Sequence, residues 1–129
     1  MTVQLSLSNE DYAVSLAKLL SADGERDAKI VATPDLSVPG VIVVESHLIT
    51  PVLNCSDPDR YVVVARQDQD DLLRLFRAGF STVIFRQDNV EIAYLAILGV
   101  ESKLRANREK RRQREHQAIV VTDSRTPLS

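Results

Sequence analysis

Cysteine and long apolar stretches are scarce in this chain, and each scarcity excludes a class of protein. The one cysteine, Cys55, cannot form an internal disulfide, which fits a reducing cytoplasm, and its polar neighbours favour a structural thiol in a loop. No apolar run approaches the roughly 18 residues of a membrane span, and the amino terminus lacks the basic start and apolar core of a signal peptide. With 129 residues the chain can bury a core unaided. We therefore expect a cytoplasmic domain that needs no metal or cofactor.

Charge is distributed unevenly along the chain. Residues 1–102 hold 8 Lys or Arg against 15 Asp or Glu, a net charge of −7, whereas residues 103–115 hold 7 basic and 2 acidic residues, a net charge of +5. We expect an acidic domain over residues 1–104 and a basic helical extension or linker over 105–117. Residues 118–123 are typical of a new strand, so 118–129 are predicted to begin a following domain or to form a disordered tail.

The most informative stretch is a predicted central strand that ends in a carboxylate. Residues 41–44 are four consecutive β-branched residues, preceded by Pro39-Gly40 and followed by Glu45. Such a run predicts a strand buried on both faces, as in a parallel sheet covered by helices. Ligands of open α/β sheets bind at the carboxyl ends of the strands, which makes Glu45 the first candidate site residue. The alternative is a strand-terminal glutamate that faces solvent.

Helical and strand patterns alternate along the rest of the domain. Strands are predicted at residues 3–7, 29–32, 61–65 and 81–85, and helices from Ser8 as N-cap to about 20, from 68 to 79, and from about 89 onward. The second of these helices has an apolar stripe of Leu72, Leu75 and Phe76. The linker at 33–40 contains two prolines and is expected to be an extended loop, while 46–54 is long enough for one or two turns.

Residues 77–87 carry a resemblance to a known family. They read Arg-Ala-Gly-Phe-Ser-Thr-Val-Ile-Phe-Arg-Gln and precede the terminal helix. This ending is similar to the Ala-Gly-Ala-x-x-Tyr-Leu-x-Lys-Pro of receiver domains in two-component response regulators, and the resemblance covers about residues 3–104. It implies a flavodoxin-like α/β fold with a five-stranded parallel sheet ordered 2-1-3-4-5. This chain departs from that pattern, because its second helix is predicted to be missing and its third to be shortened. It also implies phosphoryl transfer from a histidine kinase to an aspartate after the third strand, with Mg²⁺ on an acidic pair after the first.

The resemblance fails at the positions that would carry that chemistry. The phosphoacceptor position falls on Glu45, and the acidic pair falls on Ser8 and Asn9, although a slip of one residue brings Glu10 near the site. Mg²⁺ prefers several hard oxygen ligands, so this degenerate pocket is expected to hold no metal and to catalyse no phosphoryl transfer.

The family's switch residues are altered as well. The hydroxyl at the end of the fourth strand is replaced by Ala65, and the Lys-Pro of the fifth falls on Arg86 and Gln87, while the preceding aromatic is kept as Phe85. An ion pair between Glu45 and Arg86 would hold the face formed by the fourth and fifth strands in one conformational state without phosphorylation. We therefore interpret the chain as a non-catalytic pseudo-receiver whose partners are a kinase or an output domain.

Two alternatives remain open from the sequence. One is a phosphoaccepting receiver that uses Glu10 and Glu45. The other is nucleic-acid contact through the basic residues of the terminal helix, namely Lys103, Arg105, Arg108, Lys110, Arg111, Arg112 and Arg114. We favour a solvated linker helix over the second, because no aromatic platform accompanies these charges. His47 is read as a loop residue and not as a phosphohistidine.

Self-association is a further expectation. Shortened covering helices would leave apolar sheet surface near Val38, Leu48, Ile49 and Val52. Exposed apolar patches of this kind favour a second copy or another protein, so a homodimer is predicted.

Overall fold

The fold is one parallel sheet with helices on both faces. A computed structural model describes residues 1–49 and 57–124, with side chains up to residue 113. Five parallel strands follow the order β2-β1-β3-β4-β5, which confirms the predicted topology. The elements are β1 (Thr2–Ser6), α1 (Glu10–Ser21), β2 (Asp27–Ile30), β3 (Gly40–Glu45), β4 (Tyr61–Ala65), α2 (Gln69–Arg77), β5 (Val83–Phe85) and α3 (Val90–Ser124), with 3₁₀ turns at Ser46–Leu48 and Pro58–Arg60.

The central strands are buried on both faces, as their continuous apolar runs predict. On one face Val41 and Val43 pack with Leu16 of α1 and Ile97 of α3. On the other face Ile42, Val44 and Val63 pack with Leu75 of α2. Successive strand residues point to opposite faces, so a run with no polar alternation requires cover on both sides.

The linker between β2 and β3 contains no helix, as predicted. Polar side chains of β1 hold it against the sheet instead. The buried Gln4 amide donates to the Asp35 carbonyl at 2.9 Å and accepts from the Asp35 amide at 2.7 Å, and Ser6 Oγ donates to the Ala32 carbonyl at 3.0 Å. These bonds satisfy polar groups that would otherwise be costly to bury.

Arg60 fastens the second half of the same linker. Its Nε donates to the Gly40 carbonyl at 2.9 Å, and its two terminal nitrogens donate to the Leu36 and Val38 carbonyls. Gly40 then enters β3 with φ at +122°, where a Cβ would lie 2.0 Å from the Thr2 carbonyl oxygen. Only glycine fits here, because of both the backbone angle and the neighbouring strand.

Helix α1 begins one residue later than predicted. Asn9, not Ser8, is the N-cap, and its Oδ1 accepts from the Tyr12 amide at 3.2 Å. Asparagine and serine are equally good N-caps, so the local sequence does not decide between them.

Helix α2 follows its predicted signals except at one position. Asp68 is the N-cap, and Gly79 takes a left-handed φ of +95° just past the end. Leu75 is buried and Leu72 is half-buried, but the prediction that Phe76 completes the stripe is wrong, since Phe76 is 78% exposed. It lies about 100° around the helix from Leu75, beyond the covered face.

Helix α3 is one continuous helix through residue 124, so the strand predicted at 118–123 is wrong. Residues 105–117 are strong helix formers, and adding residues to an existing helix is far easier than starting a new element. Ala93, Ile97 and Val100 are buried, while Ile92 and Leu95 are exposed. Whether a further domain follows stays a prediction. None of the helices in the described residues is both long enough and apolar enough to cross a membrane.

A buried ion pair anchors α3 where it leaves the domain. Glu101 is 1% exposed, and Arg26 Nε donates to its two carboxylate oxygens at 2.8 and 2.9 Å. The hydrogen bond to Glu101 raises the pKa of Arg26 above its ordinary value, and Arg26 also donates to Asp23. The pair joins α3 to the turn between α1 and β2.

Candidate functional site

Glu45 lies at the carboxyl edge of the sheet, at the end of β3, and is 4% exposed. The alternative of a solvent-facing glutamate is therefore wrong. The carboxyl ends of parallel strands meet at one edge, so the segment after β1 and the end of β5 both reach this carboxylate.

Ser8 is the main partner of Glu45. Its amide donates to Glu45 Oε1 at 3.2 Å, and its hydroxyl lies 2.7 Å from Oε1 and 3.0 Å from Oε2. Since hydrogen bonds to an ionised group are among the stronger ones, this contact holds a buried carboxylate in one orientation. The sequence pattern predicted Ser8 in the site, but it also predicted that the Ser8 side chain would cap the first helix.

Two further side chains, Arg86 and His47, lie farther from the same carboxylate. Arg86 is 3.9 Å from Glu45 Oε1, so the predicted ion pair exists as a long contact of a half-exposed arginine. His47 Nδ1 is 3.5 Å from Oε2, which brings a residue read as part of a loop into the site. Exposed pairs at such distances contribute little energy, so the Ser8 bonds dominate the geometry.

The rest of the predicted acidic pocket does not assemble. Asn9 caps α1, and Glu10 is an exposed residue of its first turn. Across residues 1–49 and 57–124, no three His, Cys, Asp or Glu side chains come together as metal ligands. Mg²⁺ requires near-octahedral oxygen coordination, and one carboxylate that already accepts from Ser8 does not provide it. The donor set therefore does not fit the ion that the fold family implies.

The predicted switch positions lie beside the site. Ala65 is the buried last residue of β4, and its carbonyl accepts from the Arg86 amide at 3.3 Å. Phe85 is half-buried, and its amide donates to Asp88 Oδ2 at 2.8 Å. A methyl group thus lies at the end of β4, where the resemblance stated above implies a hydroxyl.

Asp71 and Arg74 form a polar network next to the site that sequence reasoning missed. Arg74 donates to the carbonyls of Ser46 and Ile49, at 2.9 and 3.1 Å, and to Asp71 at 2.9 Å. Ser46 is the residue after Glu45, so the network begins where the site ends. The only sequence signal was an acidic and a basic residue three positions apart in a helix, which usually indicates a surface pair.

The basic residues of α3 lie at the other end of the sheet. Lys103 Nζ is 3.1 Å from Ser81 Oγ, while Arg105, Arg108 and Arg111 line a groove of about 840 Å³ together with Asp57 and Asp59. The carboxylates of Glu25, Asp57, Asp59 and Glu101 also line this groove and weaken its positive potential. Lys110 and Arg112 are exposed, and the side chain of Arg114 lies outside the described part.

The patch predicted for self-association is only partly exposed. Val38 and Ile49 are half-buried and Leu48 is 36% exposed, while Val52, like Cys55, lies outside the described residues. Other apolar side chains are more exposed, with Phe76 at 78% and Leu95 at 65%.

No protein-family model and no curated protein matches the chain. Solved structures do. A response regulator receiver protein from Pseudoalteromonas atlantica is 14% identical, with 81% of this chain and 99% of that one covered and a TM-score of 0.59. The ChxR receiver domain from Chlamydia trachomatis is 19% identical, with 79% and 96% covered and a TM-score of 0.63. The fold is that of a receiver domain.

The receiver structures cover about four fifths of this chain. A protein in which a yeast Spc42 trimeric coiled-coil segment is fused to another structure matches 100% of both chains, at 10% identity and a TM-score of 0.52. Relative to the receiver pattern implied by the resemblance, the described chain has no helix between β2 and β3 and has only a 3₁₀ turn directly after β3.

Proposed function

We propose that this domain is a two-component signalling module that works without phosphorylation, with Glu45 as a fixed anion at the phosphoacceptor position. The observation that carries the proposal is the buried Glu45 carboxylate, which accepts hydrogen bonds from Ser8 through both of its oxygens. Glutamate carries its carboxylate one methylene farther out than aspartate does, close to where the phosphoryl group of a phosphoaspartate would place its negative charge.

The donor set around Glu45 favours a non-catalytic domain over a phosphoaccepting one. Phosphoryl transfer relies on a metal and on positioned cations around the equatorial oxygens. The alternative acceptor site needs Glu10 beside Glu45, but Glu10 is exposed on α1 and makes no hydrogen bond or ion pair to Glu45 among the described contacts.

The proposed partners are proteins, namely a kinase or an output domain, together with a second copy of this chain. Support for a homodimer comes from α3, which spans 35 residues and is exposed over 105–113. A helix that is polar all round and leaves its domain commonly joins a partner helix or bridges to another domain. The likeness to a protein that carries a trimeric coiled coil is consistent with that use of α3.

Incubation with acetyl phosphate and Mg²⁺ tests the proposal. Intact-mass spectrometry is expected to find the chain unmodified, and size-exclusion chromatography with light scattering is expected to give the same association state with and without the phosphodonor. A stoichiometric phosphoryl adduct, or a change of association state that requires the phosphodonor, would overturn it.

Nucleic-acid binding through α3 remains a second candidate because Arg105, Arg108 and Arg111 of this helix line the groove. A gel-shift series from low to moderate salt distinguishes it. Phosphate contacts would give a steep loss of affinity with salt. We expect no shift even at low salt, because Asp57 and Asp59 line the same groove as those arginines.

A further inference from the structure

The groove at the amino edge of the sheet, where the strands begin, is lined by exposed side chains of both charges. Residues of α3 and of the segment before β4 contribute to it, and its volume is about 840 Å³. We call it the amino-edge groove. Its exposed charged residues are three arginines of α3 and three carboxylates, namely Arg105, Arg108, Arg111, Glu25, Asp57 and Asp59.

The buried charges that line the amino-edge groove are already paired within the chain. Glu101 and Arg26, whose side chains are 2% and 7% exposed, form an ion pair. Arg60 donates to carbonyls at the start of β3 and in the linker before it. These groups hold the domain together and leave no unpaired charge for a partner.

The exposed charges, by contrast, do not pair with each other. Among the side chains that the structure describes, Arg105, Arg108 and Arg111 make no hydrogen bond or ion pair. The carboxylates of Asp57 and Asp59 make none there either. The groove therefore presents unpaired charges of both signs in one patch.

Such a patch is complementary in charge to a second copy of itself. A two-fold axis places the same patch on both sides of an interface, so that each contact between two different residues occurs twice. A patch with one sign of charge would repel its copy, whereas a patch with both signs can pair each sign with the other. The charges of the amino-edge groove thus favour a second copy of this chain as its occupant.

Apolar groups in the same groove would add to that contact. Met1 is 38% exposed, Pro39 is exposed and Leu104 is half-buried, and all three line the groove. Interfaces between proteins commonly combine an apolar centre with a polar rim. A second copy seated here would bury these side chains together with the charged ones.

We propose that two copies of this chain associate through the amino-edge groove, with the α3 arginines of one copy facing Asp57 and Asp59 of the other. This inference rests on the proposed homodimer and deepens it by naming its surface, at the opposite end of the sheet from Glu45. Exposed ion pairs are individually weak and are screened by salt. The dissociation constant of the dimer is therefore expected to rise by about tenfold between low salt and about 0.5 M salt.

Light scattering on two charge-reversal variants tests the proposal. Asp57→Lys with Asp59→Lys makes lysines face arginines, and Arg108→Glu with Arg111→Glu makes glutamates face aspartates. Like charges across an interface oppose association, so each variant alone is expected to associate at least about tenfold more weakly than the natural chain. An equimolar mixture is expected to recover the natural affinity to within about threefold, because opposite charges then meet in both halves of a two-fold contact.

Lys110→Glu with Arg112→Glu is the matched control. Both residues are exposed on the same helix and do not line the groove, and the change in net charge equals that of the arginine variant. Its self-association is expected to stay within about threefold of the natural chain. Mixed with the lysine variant, it is expected to bind more weakly than the arginine variant does, since only one half of the contact is then complementary.

Circular dichroism checks that each variant is folded, and Asp57→Asn with Asp59→Asn replaces the lysine variant if that one is not. A monomeric natural chain, a dimer that survives either reversal, or a mixture that stays monomeric would overturn the inference. A dimer that survives both reversals would leave the proposed homodimer standing on another surface. A phosphoryl adduct from acetyl phosphate would overturn the proposed function without changing these outcomes.

Discussion

At the scale of single residues, Ser8 and Glu45 illustrate why local rules stop short of a site. The sequence placed Glu45 at a strand end because four β-branched residues precede it. It did not predict that Ser8 would leave the helix cap to Asn9, since both residue types cap helices equally well. The choice depends on the distant Glu45, which needs donors once it is buried.

Ser8→Ala tests this contact. The substitution removes the hydroxyl that faces both Glu45 oxygens, so the buried carboxylate loses part of its hydrogen bonding. We expect the free energy of unfolding, from urea denaturation, to fall by about 1–3 kcal/mol. Ser15→Ala, an exposed serine on α1, is expected to change it by no more than about 0.5 kcal/mol. Equal, small effects of the two variants would contradict the assigned role of Ser8.

At the scale of elements, buried strands were predictable and attachments between elements were not. The observed bounds of β4 are the predicted ones, because a continuous apolar run has clear ends. The edge strand β2 begins two residues before its predicted start, since its residues are mostly exposed and carry little apolar pattern. The bonds of Arg60 to the β2–β3 linker join residues 20 or more positions apart, which no local pattern encodes.

The attachment of α3 gives the prediction at this scale. Glu101→Ala leaves Arg26 buried without its main partner, and breaking a buried pair in this way costs about 3–5 kcal/mol. Thermal and urea unfolding should both report the loss. Glu109→Ala, on the exposed part of the same helix, should leave stability within about 0.5 kcal/mol. A Glu101→Ala protein as stable as Glu109→Ala would contradict the anchoring role.

At the scale of the whole molecule, the fold lowers the pKa of several carboxyl groups, which sets the sign of the change in stability at acid pH. Burial alone would raise the pKa of Asp71, but hydrogen bonds from Ser46, Arg74 and the Arg66 amide bring it below its ordinary value. The pKa of Asp23 is lowered by the Glu25 amide and by Arg26, and that of Asp35 by Ser37.

The direction in which acid changes the stability of the fold is therefore predictable. A carboxyl whose pKa is lower in the folded than in the unfolded state contributes stability above its unfolded value of about 3.9, and loses it as the pH falls through the folded value. We expect the thermal midpoint to fall below about pH 4 through these groups, and Asp71→Asn to make that fall shallower than in the natural protein. An unchanged acid slope in Asp71→Asn would contradict the assigned hydrogen bonds of Asp71.

The overall architecture followed from the alternation of strands and helices, whereas the state of the site did not. Resemblance aligned Glu45, Ala65 and Arg86 with the family's positions, but only the folded chain shows that Arg86 is a distant partner and that Ser8 is the close one. The strand predicted at 118–123 was wrong for a related reason. Residues 119–122 are β-branched, but they continue α3 from the helix-forming residues that precede them.

The central claim is that Glu45 is a fixed anion in a pocket whose donors do not fit Mg²⁺. The most direct test is a titration with Mg²⁺ and beryllofluoride that is monitored through the amide NMR shifts. We predict no saturable shift at Ser8, Glu45 or Ser46 at millimolar Mg²⁺. Saturable shifts centred on those three amides would contradict the account.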